Sequence, residues 1–139
     1  MKAKELMIGD WVHYRGTNIQ VTSLYDKGNS NEIGWSDKES VWVNGRTIEP
    51  IPLTGEILEN NGFREDDKGF GNKCYVCEVP YGTGDDDDYA YLCMTDFGKY
   101  WQMDVSLVVG GTQTNIPNCG VHHLQHMLTL LGIEIEIKL

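Results

Sequence analysis

Along the first fifty positions, apolar residues come in short bursts separated by turn-forming residues. Trp11-Val12-His13-Tyr14 is followed by Arg15-Gly16, and Ile19 to Tyr25 alternates at Ile19, Val21 and Ser23. Asp26-Lys27-Gly28-Asn29 is a turn cluster. Val41-Trp42-Val43 precedes Asn44-Gly45, a pair suited to a type I′ hairpin because both turn positions need positive φ. Thr47 to Ile51 then reads as the return strand. About five short strands in this span predict a small SH3-like antiparallel β-barrel lobe over residues 1–53. The alternative is a loose meander.

The pattern changes after Pro50 and Pro52. Thr54 is placed to cap a short helix, Glu56 complements the dipole in its first turn, and Asn60-Asn61-Gly62 ends it. Lys73 to Val79, Tyr89 to Met94, Tyr100 to Val105 and Leu107 to Val109 predict an antiparallel sheet stopped by Gly110-Gly111. Val121, Leu124, Met127, Leu128 and Leu131 form one apolar stripe and predict a helix over 119–131, with Asn118 as N-cap and Gly132 as C′. Ile133 to Ile137 alternates strictly, as a half-buried strand does. The fold class is therefore α+β: the small β-barrel lobe over 1–53, then an α+β lobe over 54–139, expected to pack as one unit.

Charge sharpens this division. The 139 residues carry a net charge of −10. Residues 1–50 hold six Lys/Arg against seven Asp/Glu, whereas 51–139 hold five against fourteen. Such a surface repels phosphate backbones and anionic bilayers, so no nucleic acid and no membrane partner is expected. No apolar run has bilayer-spanning length, and Met1-Lys2-Ala3-Lys4-Glu5-Leu6 lacks a signal-peptide core. The expected location is cytoplasmic. Cys74, Cys77, Cys93 and Cys119 are then expected as reduced thiols.

Each candidate chemistry meets a plainer reading. Cys74-x-x-Cys77 lies in a strand-like stretch, where residues three apart point to opposite faces. The two thiols are then small core hydrophobes rather than zinc ligands. His122 and His126 stand four apart on one helical face, the spacing of a metal pair, with His123 beside them. No Glu between them makes the zinc-protease pattern, and no third ligand is placed by spacing. Asp85–Asp88 is too crowded for a calcium loop and reads as solvated. Gly82-x-Gly84 is too short for a phosphate loop, and no nucleophile elbow occurs. No catalytic residue and no cofactor are assigned. Trp11, Tyr14, Trp35 and Trp42 concentrate aromatics in the first lobe and are the candidate binding residues for a peptide groove; the plainer reading of them is core filling.

Three stretches together carry a resemblance: Lys4 to Val12; Ile48-Glu49-Pro50-Ile51-Pro52-Leu53-Thr54 with Glu56-Ile57-Leu58 and Gly62-Phe63; and Val121-His122-His123-Leu124-Gln125 with Leu131-Gly132. They resemble a family of small uncharacterised proteins of gut Bacteroidales and their phages or mobile elements. The resemblance covers both ends, leaves the insert around Asp85–Asp88 unmatched, and implies a fold layout and a prokaryotic cytoplasmic or phage setting. That family has no assigned activity, so no chemistry is implied. The resulting expectation is a non-enzymatic protein-binding or adaptor protein. Two alternatives stand beside it: an acidic nucleic-acid mimic that inhibits a host enzyme, and a metalloprotein using His122 and His126.

Overall fold

The computed structural model describes all residues except 1–4, 28–29, 36–41, 45–46, 67–70, 81–88, 108–109 and 134. The Gly28-Asn29 turn, Val41, Gly45, Gly82, Gly84, the Asp85–Asp88 run and Glu134 therefore lie outside the described residues. The fold is mixed α+β, dominated by antiparallel strands. By internal contacts the chain divides into two units. The first comprises Met1–Pro52 with Gly120–His126; the second comprises Leu53–Cys119 with Met127–Leu139.

In the first unit, β1 (Trp11–Tyr14) and β2 (Thr17–Gln20) form a hairpin that aligns Tyr14 with Thr17. Its two-residue turn is Arg15-Gly16, with φ of 48° and 85°. Positive φ at both positions is the type I′ geometry, whose twist matches the flanking strands. Arg15 repays its strained backbone in part by placing its guanidinium 5.2 Å from the Tyr14 ring centroid. β3 (Ser23–Lys27), β4 (Ser30–Gly34) and β5 (Trp42–Asn44) form a second sheet, and β6 (Glu49–Pro50) adds to β1. The two sheets have the orders β2-β1-β6 and β3-β4-β5. Among the described residues neither closes into a barrel: the outer strands β5 and β6 are very short and each pairs on one side only. Val12, Ile19, Val21, Ile33 and Ile48 nonetheless join Leu6 in one buried cluster that both sheets feed.

The second unit holds a five-stranded sheet of order β11-β10-β9-β8-β7. Its strands are β7 (Arg64–Asp66), β8 (Cys74–Pro80), β9 (Tyr89–Asp96), β10 (Tyr100–Leu107) and β11 (Gly110–Pro117). Gly110-Gly111 does not stop the sheet but opens β11, whose Thr112, Thr114 and Ile116 carry on the strand alternation. α1 (Gly55–Asn60) is capped by the Thr54 hydroxyl, which accepts from the Ile57 N–H at 3.2 Å. The helix lies so close to β8 that a side chain at Gly55 would run into the Tyr75 hydroxyl. It ends in a Schellman motif: Gly62 has φ 87°, its N–H donates to Glu59 O, and Phe63 N–H donates to Leu58 O. α2 (Val121–Leu130) ends the same way through Gly132, Thr129 O and Leu128 O.

Ile133, Ile135 and Ile137 form no ladder, contrary to the strand their alternation predicts. Ile133 and Ile137 are still buried, so the pattern records one-sided burial rather than strand pairing. What anchors the segment is Asn61. Its amide donates to Ile57 O and to Lys138 O, and its oxygen accepts from Lys138 N–H, each at 2.7 Å. Asn61→Ala is expected to cost about 1–2 kcal/mol by removing these bonds. Urea melts would read the loss, and faster hydrogen exchange at the Lys138 amide would localise it.

Candidate functional site

A cluster of titratable groups in the first unit is built where the chain turns into β1. Gly9 adopts φ 97°, which bends Met7–Asp10 back on itself. Asp10 N–H then donates to Met7 O, and Met7 N–H donates to the Asp10 carboxylate at 2.7 Å. Val21 closes the turn from the other side: its carbonyl accepts from Gly9 N–H and its N–H donates to Asp10 O. The Asp10 side chain is left only 3% exposed.

The first half of α2 supplies the partners. Gln125 accepts from Trp11 N–H and donates to Gly9 O, both at 2.9 Å. His126 donates from Nε2 to the Asp10 carboxylate at 2.7 Å. The helix enters this position through Gly120, whose N–H donates to His123 Nδ1 at 3.0 Å. His123 is the third helical residue, so its ring fills the role that Glu or Gln plays in a capping box. Nδ1 must be unprotonated to accept, which sets the neutral Nε2–H tautomer. Gly120 itself has no room for a side chain, because a Cβ would meet the His122 ring at 2.9 Å.

His122 is the unusual member. It is 4% exposed, and its Nδ1 is buried with no hydrogen-bond partner among the described residues. Burial first, then the neighbouring His123 and His126, push its pKa down to about 4. Burial also lowers His123. Burial raises Asp10 above the usual carboxylate value, opposed by the Met7 N–H and by His126. The three rings lie close together: His122 and His123 are tilted with centroids 3.9 Å apart, and His122 and His126 meet edge to face at 5.9 Å.

The candidate metal pair, His122 and His126, lies one turn apart on α2 with ring centroids 5.9 Å apart. One of the two ring nitrogens of His126, Nε2, is engaged by Asp10. Among the described residues no three His, Cys, Asp or Glu side chains are placed to share a metal ion. Cys74 and Cys77 sit opposite Thr95 and Leu92 on β9, on opposite faces of the sheet, and cannot chelate together. All four cysteines are buried; burial pushes Cys119 up to about 12. Gln125 and His126 fasten the start of α2 to the Gly9 and Trp11 backbone and to the Asp10 carboxylate, 114 to 116 residues distant in sequence.

The candidate aromatics are not one surface. Tyr14 and Trp35 meet at 5.1 Å between centroids and are half-buried against the apolar cluster. Trp11 is half-buried at the start of β1. Trp42 lies elsewhere: its neighbour Val43 packs with Ile33 on the core side of β3-β4-β5, and Trp42 projects from the other face. There it meets Tyr25 edge to face at 6.2 Å, diagonally across β4, where Trp42 stands opposite Gly34 and Tyr25 opposite Glu32. Tyr25 is 43% exposed and Trp42 42%. Sequence reasoning missed Tyr25 as a partner because the pairing depends on the β3-β4-β5 register. It missed Asp10 and Gln125 because nothing local links them.

No protein-family model matches the chain, and neither the curated proteins nor the solved structures contain a match to it.

Proposed function

We propose that this is a non-enzymatic binding protein that takes a peptide segment of a protein partner on the outward face of β3-β4-β5. The observation that carries this reading is the exposed Tyr25–Trp42 pair. A sheet that already buries Leu24, Ile33 and Val43 on one side has no packing need for two large rings on the other. Tyr and Trp are the residues that most often dominate protein interfaces, because they contribute much contact area for little lost conformational freedom. Gly34, opposite Trp42, adds no side chain to this face, and Glu32, opposite Tyr25, adds a carboxylate beside the rings.

The same proposal includes a cytoplasmic setting in a bacterial host, of phage or mobile-element type, and a protein rather than a nucleic-acid partner, in keeping with the net charge of −10. An SH3-like relation of the two small sheets also belongs to it; the shared apolar cluster supports that relation, although β5 and β6 do not close the ring. Capture from a native-host lysate followed by titration of the captured protein tests the reading. Trp42→Ala should weaken binding by about 30-fold or more, the loss typical of an interface anchor. Equal affinity of wild type and variant, or no captured protein above background, would overturn it.

A further inference from the structure

The two edges of the five-stranded sheet are managed in opposite ways. At one edge, β7 is three residues long and reads Arg64-Glu65-Asp66. Short, charged edge strands are a common defence against unwanted strand pairing. Paired with itself about a two-fold axis, β7 would set Glu65 against Glu65. At the other edge, β11 is eight residues long and reads Gly-Gly-Thr-Gln-Thr-Asn-Ile-Pro. It contains no charged side chain. Gly111, Thr112, Gln113, Asn115 and Pro117 are exposed, and among the described residues β11 pairs only with β10. Among the described residues its outer row of backbone N–H and C=O groups has no strand beside it, and Pro117 closes one end.

We infer that β11 is a self-association edge, on which the β11 of a second copy adds antiparallel to make a continuous ten-stranded sheet. Charge selects this occupant. Two chains of net charge −10 repel over most of their surfaces, and β11 is a long stretch where approach brings no like charges together. A two-fold axis through Gln113 sets Thr112 opposite Thr114 of the partner subunit and Gly111 opposite Asn115 of the partner subunit. These are small or hydrogen-bonding pairs of the kind that stabilise antiparallel ladders. The interface is isologous and closed, so it yields dimers and not fibres. It is separate from the Tyr25–Trp42 face and stands or falls independently of that reading.

Sedimentation velocity across micromolar to millimolar concentration tests the inference on the full chain. A reversible monomer–dimer equilibrium is expected, shifted toward dimer by added salt because the net charges are then screened. Gln113 is exposed, so Gln113→Glu and Gln113→Lys should leave folding intact, which circular dichroism verifies. Each variant alone sets like charges opposite at the axis and should weaken the dimer several-fold. An equimolar mixture of the two should restore association as a Glu–Lys heterodimer. A wild type that remains monomeric up to millimolar concentration would overturn the inference. So would a dimer insensitive to both substitutions, or a mixture that associates no better than its components.

Discussion

Asp10→Ala is expected to lower stability by about 2–3 kcal/mol, a drop in melting temperature on the order of 10 °C for a chain of this size. The reason is the position of the carboxylate and not its charge alone. Asp10 receives the Met7 N–H and the His126 imidazole on one oxygen, in a site where its side chain is almost fully enclosed. Alanine leaves the Met7 N–H unsatisfied and strips His126 of its partner, and unsatisfied buried groups carry their desolvation cost in full. His126 retains some solvent contact, which is why the expected loss lies below that of a fully buried ion pair. Asp10→Asn separates the two contributions. The amide oxygen can still accept from Met7, and burial already disfavours a charge at this position. A cost of about 1 kcal/mol is therefore expected for Asn. Chemical denaturation of the two variants at pH 7 reads the difference; equal losses would show that charge, rather than hydrogen bonding, holds this turn.

Acidification is expected to destabilise the fold by about 3 kcal/mol between pH 6.5 and pH 4, with His122 as the main cause. The unfolded chain takes a proton at His122 near the ordinary value of 6.5, whereas the folded chain resists until about 4. Each step down through that interval favours the unfolded form, and the loss is complete once the pH falls through the folded value. His123 acts in the same direction, since burial lowers it as well and a proton on Nδ1 would break its bond with Gly120. Asp10 works the other way. Its carboxyl is raised above 3.8, so the folded form takes up that proton first and recovers part of the loss at the acid end. His122→Leu removes both the buried, unpartnered Nδ1 and the titration. Its stability at pH 7 should match or exceed wild type, with a much flatter profile down to pH 4. Denaturant midpoints at half-unit pH steps provide the check; an unchanged profile in the variant would assign the acid loss to other groups.

What was legible in the sequence was local. Thr54, Gly62 and Gly132 announce helix ends because capping depends on a few adjacent residues. The stripe of Val121, Leu124 and Leu128 announces a buried helix face, and all three are buried. The strands from Cys74 to Leu107 follow from their apolar alternation. What failed was non-local. Alternation over Ile133–Ile137 was mistaken for pairing, when burial on one side and the Asn61 clamp suffice to produce it. Gly110-Gly111 was read as a stop, although Thr112, Thr114 and Ile116 beyond it already carry a strand pattern. The Asn44-Gly45 turn falls on residues outside the described ones; a type I′ turn is found at Arg15-Gly16, where the short connection leaves few alternatives. In the candidate sites the same limit holds. The spacing of His122 and His126 was readable, but the Asp10 carboxylate that engages His126 comes from 116 residues away. Trp42 was readable as an aromatic, but its exposure and its pairing with Tyr25 follow only from the register of three strands.

The proposed function divides the first unit's labour, with the His–Asp cluster as architecture and the Tyr25–Trp42 face as the proposed seat of a partner. Capture of the host partner by wild type, Asp10→Asn and Trp42→Ala, each normalised to folded protein, tests it directly. The partner should be recovered by Asp10→Asn as well as by wild type and be lost by Trp42→Ala. Retention by Trp42→Ala together with loss by Asp10→Asn would contradict it.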